Sequence, residues 1–222
     1  MYQGQAPWDT GRPQPAIVKL AEAGEIRGSV LDVGCGTGEN LLYLAGKGHE
    51  ARGIDFAPLA IERDKAKAAQ RGSEATFVVG NALELNKLGR RLDTVIDCGL
   101  FHTFADEQRP VFVRSLAEVL RLGGSLHILC FSDEEPGSAG PRRISQQETR
   151  DAFHDGWNVK QLNRRNSTRF HDRMDRSSAQ AGPRHGWQRL NGTRSLTNEG
   201  RPTNLRPTKS ARLASGQRHP TA

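Results

Sequence analysis

The sequence is poor in the features that mark secreted, membrane-spanning and metal-binding proteins. Its 222 residues include three cysteines, at positions 35, 98 and 130, which form no C-x-x-C pair and no even-numbered framework. Scattered cysteines of this kind are typical of reduced thiols, so we expect a cytoplasmic protein. The seven histidines show no metal-ligand spacing among themselves or with the cysteines, so we expect no metal site. We find no basic-then-apolar leader and no apolar run of about 18 residues, and we expect no signal peptide and no membrane span.

Charge divides the chain into two unequal parts. Residues 1–160 hold 19 Lys and Arg against 22 Asp and Glu, a net −3, whereas residues 161–222 hold 13 against 3, a net +10. Beyond about residue 163 the apolar residues follow neither a strand nor a helix period. Such a segment buries too little apolar surface to offset its ordering entropy, which predicts a domain over residues 1–162 and a largely disordered basic tail over 163–222. Because the basic excess lies in the tail, the overall charge of +7 does not indicate that the domain binds nucleic acid.

Short apolar runs alternate with helical segments between Ser29 and Phe131. This alternation predicts a parallel sheet with right-handed crossovers and helices on both faces. The runs that predict buried strands are residues 30–33, 51–56, 75–79, 94–98 and 126–131. Helices are predicted over residues 15–23, 39–45, 58–70 and 107–120. Ser145 and Glu148 predict a capping box for a short helix that ends at Phe153, and a weak strand follows over residues 157–162.

The most informative segment is Val30-Leu31-Asp32-Val33-Gly34-Cys35-Gly36-Thr37-Gly38, where an apolar strand runs into three glycines at alternate positions. Glycines allow a sharp turn and bring backbone N–H groups against a ligand, because no Cβ intervenes. The spacing is G-x-G-x-G, and Glu39 stands where a dinucleotide fingerprint has its third glycine, which argues against a nicotinamide-dependent oxidoreductase. Asp32 would repel a pyrophosphate but suits a ligand that carries an ammonium and a sulfonium. The segment therefore predicts S-adenosylmethionine as cofactor, with a tight turn that binds no ligand as the structural alternative.

Further candidate residues follow the next two strands, because ligands of an open parallel sheet bind beyond the carboxyl ends of its strands. Asp55 lies about 20 positions past the glycine turn and is suited to accept hydrogen bonds from two ribose hydroxyls. Its alternative role is to cap the helix that begins at Pro58. Asn81 follows the third strand and could accept a hydrogen bond from the adenine amino group, or make only local turn bonds.

The fourth strand ends at Asp97 and Cys98, near the point where a methyl group would be delivered. His102, four residues later, is predicted to act as a general base toward an acceptor hydroxyl or thiol, because its ordinary pKa is close to working pH. The alternative is a histidine packed over the cofactor with its hydrogen bonds satisfied. Cys98 is disfavoured as a nucleophile, because no adjacent base is evident and methyl transfer needs no covalent step.

Together these motifs resemble those of class I S-adenosylmethionine-dependent methyltransferases. In chain order they are D-V-G-C-G-T-G, G-I-D, N-A-L, D-T-V-I-D-C-G-L-F-H and L-R-L-G-G-S-L-H-I-L-C. The opening segment, residues 7–15, resembles that of the thiopurine, thiol and halide methyltransferases and of bacterial benzoquinone-type relatives. The resemblance implies an α/β, Rossmann-like methyltransferase fold with a mostly parallel seven-stranded sheet and one antiparallel strand. It also implies in-line methyl transfer to a small-molecule acceptor: a thiol, a halide, or an aromatic or quinone-type hydroxyl.

The resemblance also implies roles for individual residues, and this sequence departs from the family pattern at a few positions. His102 is expected to be catalytic, and the expected cofactor contacts are Trp8, Asp32, Gly34, Cys35, Gly36, Gly38, Asp55, Phe56, Asn81, Ala82, Asp97 and Cys98. Asn81 stands where the family usually has Asp, and Leu122 replaces the usual Pro of a turn. The family supplies a final antiparallel strand after about residue 163. Here residues 168–174 are the only candidate, so the C-terminal strands are expected to be incomplete.

Two other functions stay open at this point. One is a non-catalytic protein that binds S-adenosylmethionine but lacks an acceptor pocket. The other is an RNA methyltransferase that uses the basic tail as an electrostatic clamp. Nucleic acid is disfavoured as a partner, because the tail offers only Phe170 and Trp187 for base stacking.

Overall fold

One mixed sheet of seven strands organises the protein. The computed structural model describes residues 11–135, 140–166 and 186–194. In chain order the strands are β1 (Val30–Val33), β2 (Ala51–Asp55), β3 (Thr76–Val79), β4 (Leu92–Cys98), β5 (Leu120–Phe131), β6 (Trp157–Asn166) and β7 (Gly186–Arg194). Their order across the sheet is β3-β2-β1-β4-β5-β7-β6. Strands β1 to β5 run parallel and β7 is antiparallel to both of its neighbours, which confirms the predicted fold.

The helices lie close to their predicted positions. Those in the described ranges are α1 (Pro15–Glu22), α2 (Glu39–Gly46), α3 (Pro58–Gln70), α4 (Arg109–Val119) and α5 (Gln146–Ala152), with 3₁₀ turns at Ala82–Leu88 and Phe101–Thr103. The predicted capping box is confirmed, because Ser145 Oγ accepts from the Glu148 N–H while the Glu148 carboxylate accepts from the Ser145 N–H. None of the helices in these ranges has the length and apolar character needed to cross a membrane.

Neighbouring residues of the central strands face opposite helical layers, as the pleat of a strand requires. Leu31 and Val95 pack in the cluster that includes α4, whereas Val30 and Ile96 pack in the cluster that includes α1. Helices therefore cover both faces of the sheet, and the carboxyl ends of the parallel strands stay open at one edge. A ligand site is expected at that edge.

The C-terminal part of the sheet differs from the prediction. Strand β6 continues to Asn166, and β7 lies at Gly186–Arg194, between β5 and β6. The sheet therefore has all seven strands and is not incomplete, and residues 163–166 and 186–194 form strands within the segment expected to be largely disordered. The rest of that segment, with the candidate strand at 168–174, lies outside the described residues. The sequence of β7 has little apolar alternation of its own. It forms a strand because a hydrogen-bonded neighbour flanks it on each side, so tertiary context overrides its local pattern.

Leu190 offers a test of this inserted strand. Its side chain is buried, and it lies in register with Ile128 of β5 and Leu162 of β6. We expect Leu190→Ala to lower the free energy of unfolding by about 2–4 kcal/mol in urea denaturation, because it leaves a cavity in the core. The control is Leu122→Ala, at an exposed position, which should cost less than about 0.5 kcal/mol. Equal costs at the two positions would contradict the burial of Leu190 in β7.

Candidate active site

The candidate site lies at the carboxyl ends of β1, β2 and β4. Strand β1 pairs with β2 on one side and with β4 on the other. The chain therefore adds β2 and β3 on one side of β1 and then crosses to the other side to form β4. This is the switch point at which ligands of open α/β sheets bind. The turn after β1, at residues 34–38, brings the G-x-G-x-G segment of the sequence to this switch point.

The glycine turn depends on the absence of side chains. Gly34, Gly36 and Gly38 all have positive φ, at 70°, 59° and 69°. A Cβ on Gly34 would lie 3.1 Å from Cβ of Leu100, and one on Gly38 would lie 2.9 Å from Cγ of Asp64. Both the backbone conformation and the close packing therefore require glycine here, which explains the spacing that the sequence shows.

Asp32 is a buried carboxylate that lacks a partner of its own. It is 1% exposed, and neither of its oxygens accepts a hydrogen bond of good geometry among the described residues. Burial raises its pKa well above the ordinary value, and Asp97, Asp64 and Asp55 raise it further, while the Asn40 side chain acts in the opposite direction. A cationic group placed beside Asp32 would relieve this cost.

Asp55 serves the turn and the following helix at the same time. Its Oδ2 accepts from the Gly36 N–H at 3.0 Å, and its Oδ1 accepts from the Ala57 N–H at 2.8 Å, just before α3. The second contact is the helix-start bond that the sequence left open as an alternative role for Asp55. Because the carboxylate is only half-buried, its remaining lone pairs are accessible to a ligand as well.

Large apolar side chains are exposed beside Asp55. Phe56 is 80% exposed and Val79, which is in register with Asp55, is 52% exposed. Exposed apolar groups that adjoin each other at a ligand edge are unfavourable in water and provide a surface for a flat ring. Phe56 was among the expected cofactor contacts, and its exposure is consistent with that expectation.

Asn81 and Ala82 begin the 3₁₀ turn that follows β3. Asn81 is exposed, and its Oδ1 accepts from the Leu83 N–H at 2.9 Å, so it makes the local turn bond that was the alternative to adenine binding. Its side-chain NH₂ group donates no hydrogen bond that the structure records. Ala82 packs against the main core cluster.

Asp97 anchors the loop after β4. It is fully buried, and its two oxygens accept from the N–H groups of Leu100 at 2.7 Å and Phe101 at 3.0 Å. Burial raises its pKa to about 7, against the lowering effect of these backbone bonds. Burial likewise raises the pKa of the adjacent Cys98 thiol well above its ordinary value, so the thiol is protonated and is not placed as a nucleophile.

His102 is packed at the end of β5. It is 4% exposed, its Nδ1 accepts from the Phe131 N–H at 2.9 Å, and its ring lies 4.9 Å from the Phe131 ring. Burial lowers its pKa to about 4, although a backbone bond to Gly99 opposes the shift. This geometry favours the alternative of a packed, neutral histidine over a general base.

Sequence analysis missed the residues of α3 that lie under the turn. Asp64 is fully buried; Cys35 Sγ lies 3.8 Å from its Oδ2 and Lys67 Nζ lies 3.5 Å from its Oδ1. The available signal was a carboxylate on the apolar stripe formed by Ile61 and Ala68, which are also buried. Trp8, by contrast, lies outside the described residues. In the described part of the chain, no group of three or more His, Cys, Asp and Glu side chains could hold a metal ion.

Comparisons with known proteins agree with this geometry. The family model described as "Methyltransferase domain" matches residues 30–124. The 2-heptyl-1-hydroxyquinolin-4(1H)-one methyltransferase of Mycobacteroides abscessus is 37% identical over 169 residues, which are 71% of this chain and 74% of the relative. Probable thiol methyltransferase 2 of Arabidopsis thaliana is 29% identical over 147 residues, which are 65% of each chain.

Solved structures share the whole fold. The structure described as "Conversion of a Disulfide Bond into a Thioacetal Group during Echinomycin Biosynthesis" has a TM-score of 0.74 and 34% identity, covering 87% of this chain and 90% of that chain. More distant methyltransferases with this fold contain bound S-adenosylmethionine. The strand order and the glycine turn after β1 are those of a Rossmann-like methyltransferase fold. The chain belongs to the class I S-adenosylmethionine-dependent methyltransferases, enzymes that here transfer a methyl group to a small-molecule acceptor.

The burial of His102 generates a prediction about acid stability. Because its folded-state pKa of about 4 lies below the ordinary 6.5, the unfolded chain binds a proton in this interval that the folded chain does not. Stability is therefore lost as pH falls from 6.5 toward 4, by about 2 kcal/mol between pH 7 and pH 5 for this group. Urea denaturation at several pH values should show that His102→Gln removes this part of the acid sensitivity. An unchanged pH dependence in the variant would mean that His102 is not held neutral.

Proposed function

We propose that the protein methylates a small, flat acceptor through an acidic hydroxyl, with S-adenosylmethionine as methyl donor. The observation that carries the cofactor part is the buried Asp32, which accepts no well-formed hydrogen bond among the described residues, beside a turn in which Gly34 and Gly38 leave no room for a side chain. A carboxylate in that position suits the ammonium of a methionine moiety, and the turn allows the ligand to approach the backbone closely.

The remaining cofactor contacts follow from the order of the strand ends. The methionine end would lie against the turn at residues 34–38, the ribose against Asp55, and the adenine between Phe56 and the Asn81–Ala82 segment. Asp55 retains acceptor capacity, and the exposed Phe56 offers an aromatic face. Asp97 and Cys98 would lie near the sulfur end, where Asp97 holds the loop that packs on Gly34.

The chain's contribution to catalysis is mainly positioning. When bound, S-adenosylmethionine supplies a methyl group on a positively charged sulfur, which is a good leaving group. The protein residues orient the two reactants in line and keep water away from them. No covalent intermediate on the enzyme is needed.

The position of His102 supports the proposal that the acceptor loses its proton without help from a base on the enzyme. Among the described histidines, His49 precedes β2, His127 lies within β5 and His154 precedes β6, so His102 is the one that follows the carboxyl end of a parallel strand. Its Nδ1 is occupied by a backbone N–H and its pKa is lowered. An acidic hydroxyl, such as that of an N-hydroxyquinolone, is already ionised near neutral pH and needs no general base.

A thiol acceptor is the second candidate. Thiols also ionise near neutral pH, and the names of two similar proteins refer to sulfur chemistry. The hydroxyl is placed first because the more similar relative acts, by its name, on a hydroxyquinolone. A cytoplasmic location and the absence of nucleic-acid and membrane partners are part of this proposal, and three cysteines that form no disulfide support the location.

Asp55→Ala tests the cofactor part. We expect the affinity for S-adenosylhomocysteine, measured by calorimetry, to fall ten-fold or more, on the order of 1.4 kcal/mol, because the ribose loses a charged acceptor. The matched control is Asp155→Ala, an exposed carboxylate just before β6, which should bind as the wild type does. NADH should not bind to either protein. Equal affinities of the two variants would remove the ribose role of Asp55.

A pH series with several acceptors tests the acceptor part. With an N-hydroxyquinolone, an aromatic thiol and a simple phenol, we expect kcat/KM to rise with pH in step with the ionisation of each acceptor. Folded His102→Gln should leave these profiles in place. A common apparent pKa for all acceptors, lost in His102→Gln, would instead establish His102 as the general base. Cofactor binding without turnover of any acceptor would favour a non-catalytic binding protein.

A further inference from the structure

Helix α3 lies under the glycine turn and presents charged side chains to it. Asp64 is fully buried there, and Lys67, one helical turn later, has a side chain that is 25% exposed. Charged groups are seldom placed under a tight turn unless they make specific contacts, because their desolvation is costly. Apart from the ion pair between them, the polar side-chain contacts of Asp64 and Lys67 lead to residues 35–39.

The Lys67 ammonium is surrounded by oxygen acceptors of the turn and of its own helix. It donates to the backbone carbonyl of Thr37 and to Glu39 Oε1 at 3.0 Å, and it lies 3.5 Å from Asp64 Oδ1. An ammonium has three N–H donors, so one cation ties three separate groups together. The bond to the Thr37 carbonyl acts directly on the backbone of the turn.

Further contacts of Asp64 and Glu39 extend this group of hydrogen bonds and ion pairs. Cys35 Sγ lies 3.8 Å from Asp64 Oδ2, within reach of a thiol donor. Glu39, at the start of α2, also accepts from Arg71 at 2.8 Å and 3.1 Å. Alternate residues of the turn, at positions 35, 37 and 39, are therefore all held from α3, while the glycines between them carry no side chain that could fix the backbone.

We propose that Lys67 is a positioning residue for the cofactor, which holds residues 35–39 from behind in the conformation that binds S-adenosylmethionine. Gly36 and Gly38 give this segment more backbone freedom in the unbound state than residues with a Cβ would. A tether that reduces this freedom before binding lowers the entropy that the ligand must overcome. The inference rests on the proposed placement of the cofactor at this turn.

The test compares two ligands on three variants. In Lys67→Met we expect calorimetry to show affinity losses of about ten-fold for both S-adenosylhomocysteine and S-adenosylmethionine, because charge-assisted hydrogen bonds to the turn are removed. Lys67→Arg keeps the charge and the donors and should recover most of the affinity. Lys65→Met removes the same charge at an exposed position of the same helix and should bind both ligands as the wild type does.

The two ligands separate positioning from simple electrostatics. S-adenosylmethionine carries a sulfonium and S-adenosylhomocysteine does not, so loss of a nearby cation by itself would favour the first ligand over the second. Equal losses support positioning. Binding of S-adenosylhomocysteine by Lys67→Met within two-fold of the wild type would overturn the inference, as would a variant that circular dichroism shows to be unfolded. A wild-type chain that binds neither ligand would overturn the cofactor site itself, and the inference with it.

Discussion

Four carboxylates lie near the glycine turn after β1, and the folded chain compensates their burial only in part. Asp55 and Asp97 accept backbone N–H groups, and Asp64 lies beside Lys67. Asp32, at the centre, accepts no well-formed hydrogen bond among the described residues, and its three neighbours all raise its pKa. A buried carboxylate in this position is costly, and a cationic ligand offsets the cost. The turn, the strand order and the anchoring of the loops together hold Asp32 in this buried position at the carboxyl end of β1.

The site departs from the usual pattern of burial at two residues. Phe56 is a large apolar side chain that is 80% exposed, and Asp32 is a carboxylate that is 1% exposed and accepts no well-formed hydrogen bond among the described residues. Such departures are expected where a ligand completes the structure. The burial that isolates Asp32 also keeps His102 and Cys98 uncharged. Burial therefore has two effects at this site. It makes a cationic ligand beside Asp32 favourable, and it keeps His102 and Cys98 in uncharged forms that are poorly suited to act as a base or a nucleophile.

The sequence predicted those parts of the molecule that depend on local pattern. Residues 30–38 specify strand, turn and helix start through their own composition, and α3 has the bounds that its periodicity predicts. Strand β7 was missed because both of its neighbours, and not its own residues, make it a strand. Lys67 was missed because its partners are 28 and 30 positions away, and no local pattern signals such contacts. The general-base role of His102 looked attractive because sequence shows a residue's type and not its burial.

The same distinction explains why the sequence predicts individual residues for the cofactor and only a class for the acceptor. The proposed cofactor contacts follow the consecutive strand ends of β1 to β4, so local patterns along the chain reveal them one after another. The proposed acceptor side lies beyond β4 and β5, next to segments that are joined by exposed charged side chains: Arg142 pairs with both Asp106 and Glu148. Exposed ion pairs of this kind contribute little to stability. Substitutions there can reshape the acceptor side at small cost, whereas the turn, fixed by positive φ and close packing, tolerates almost none.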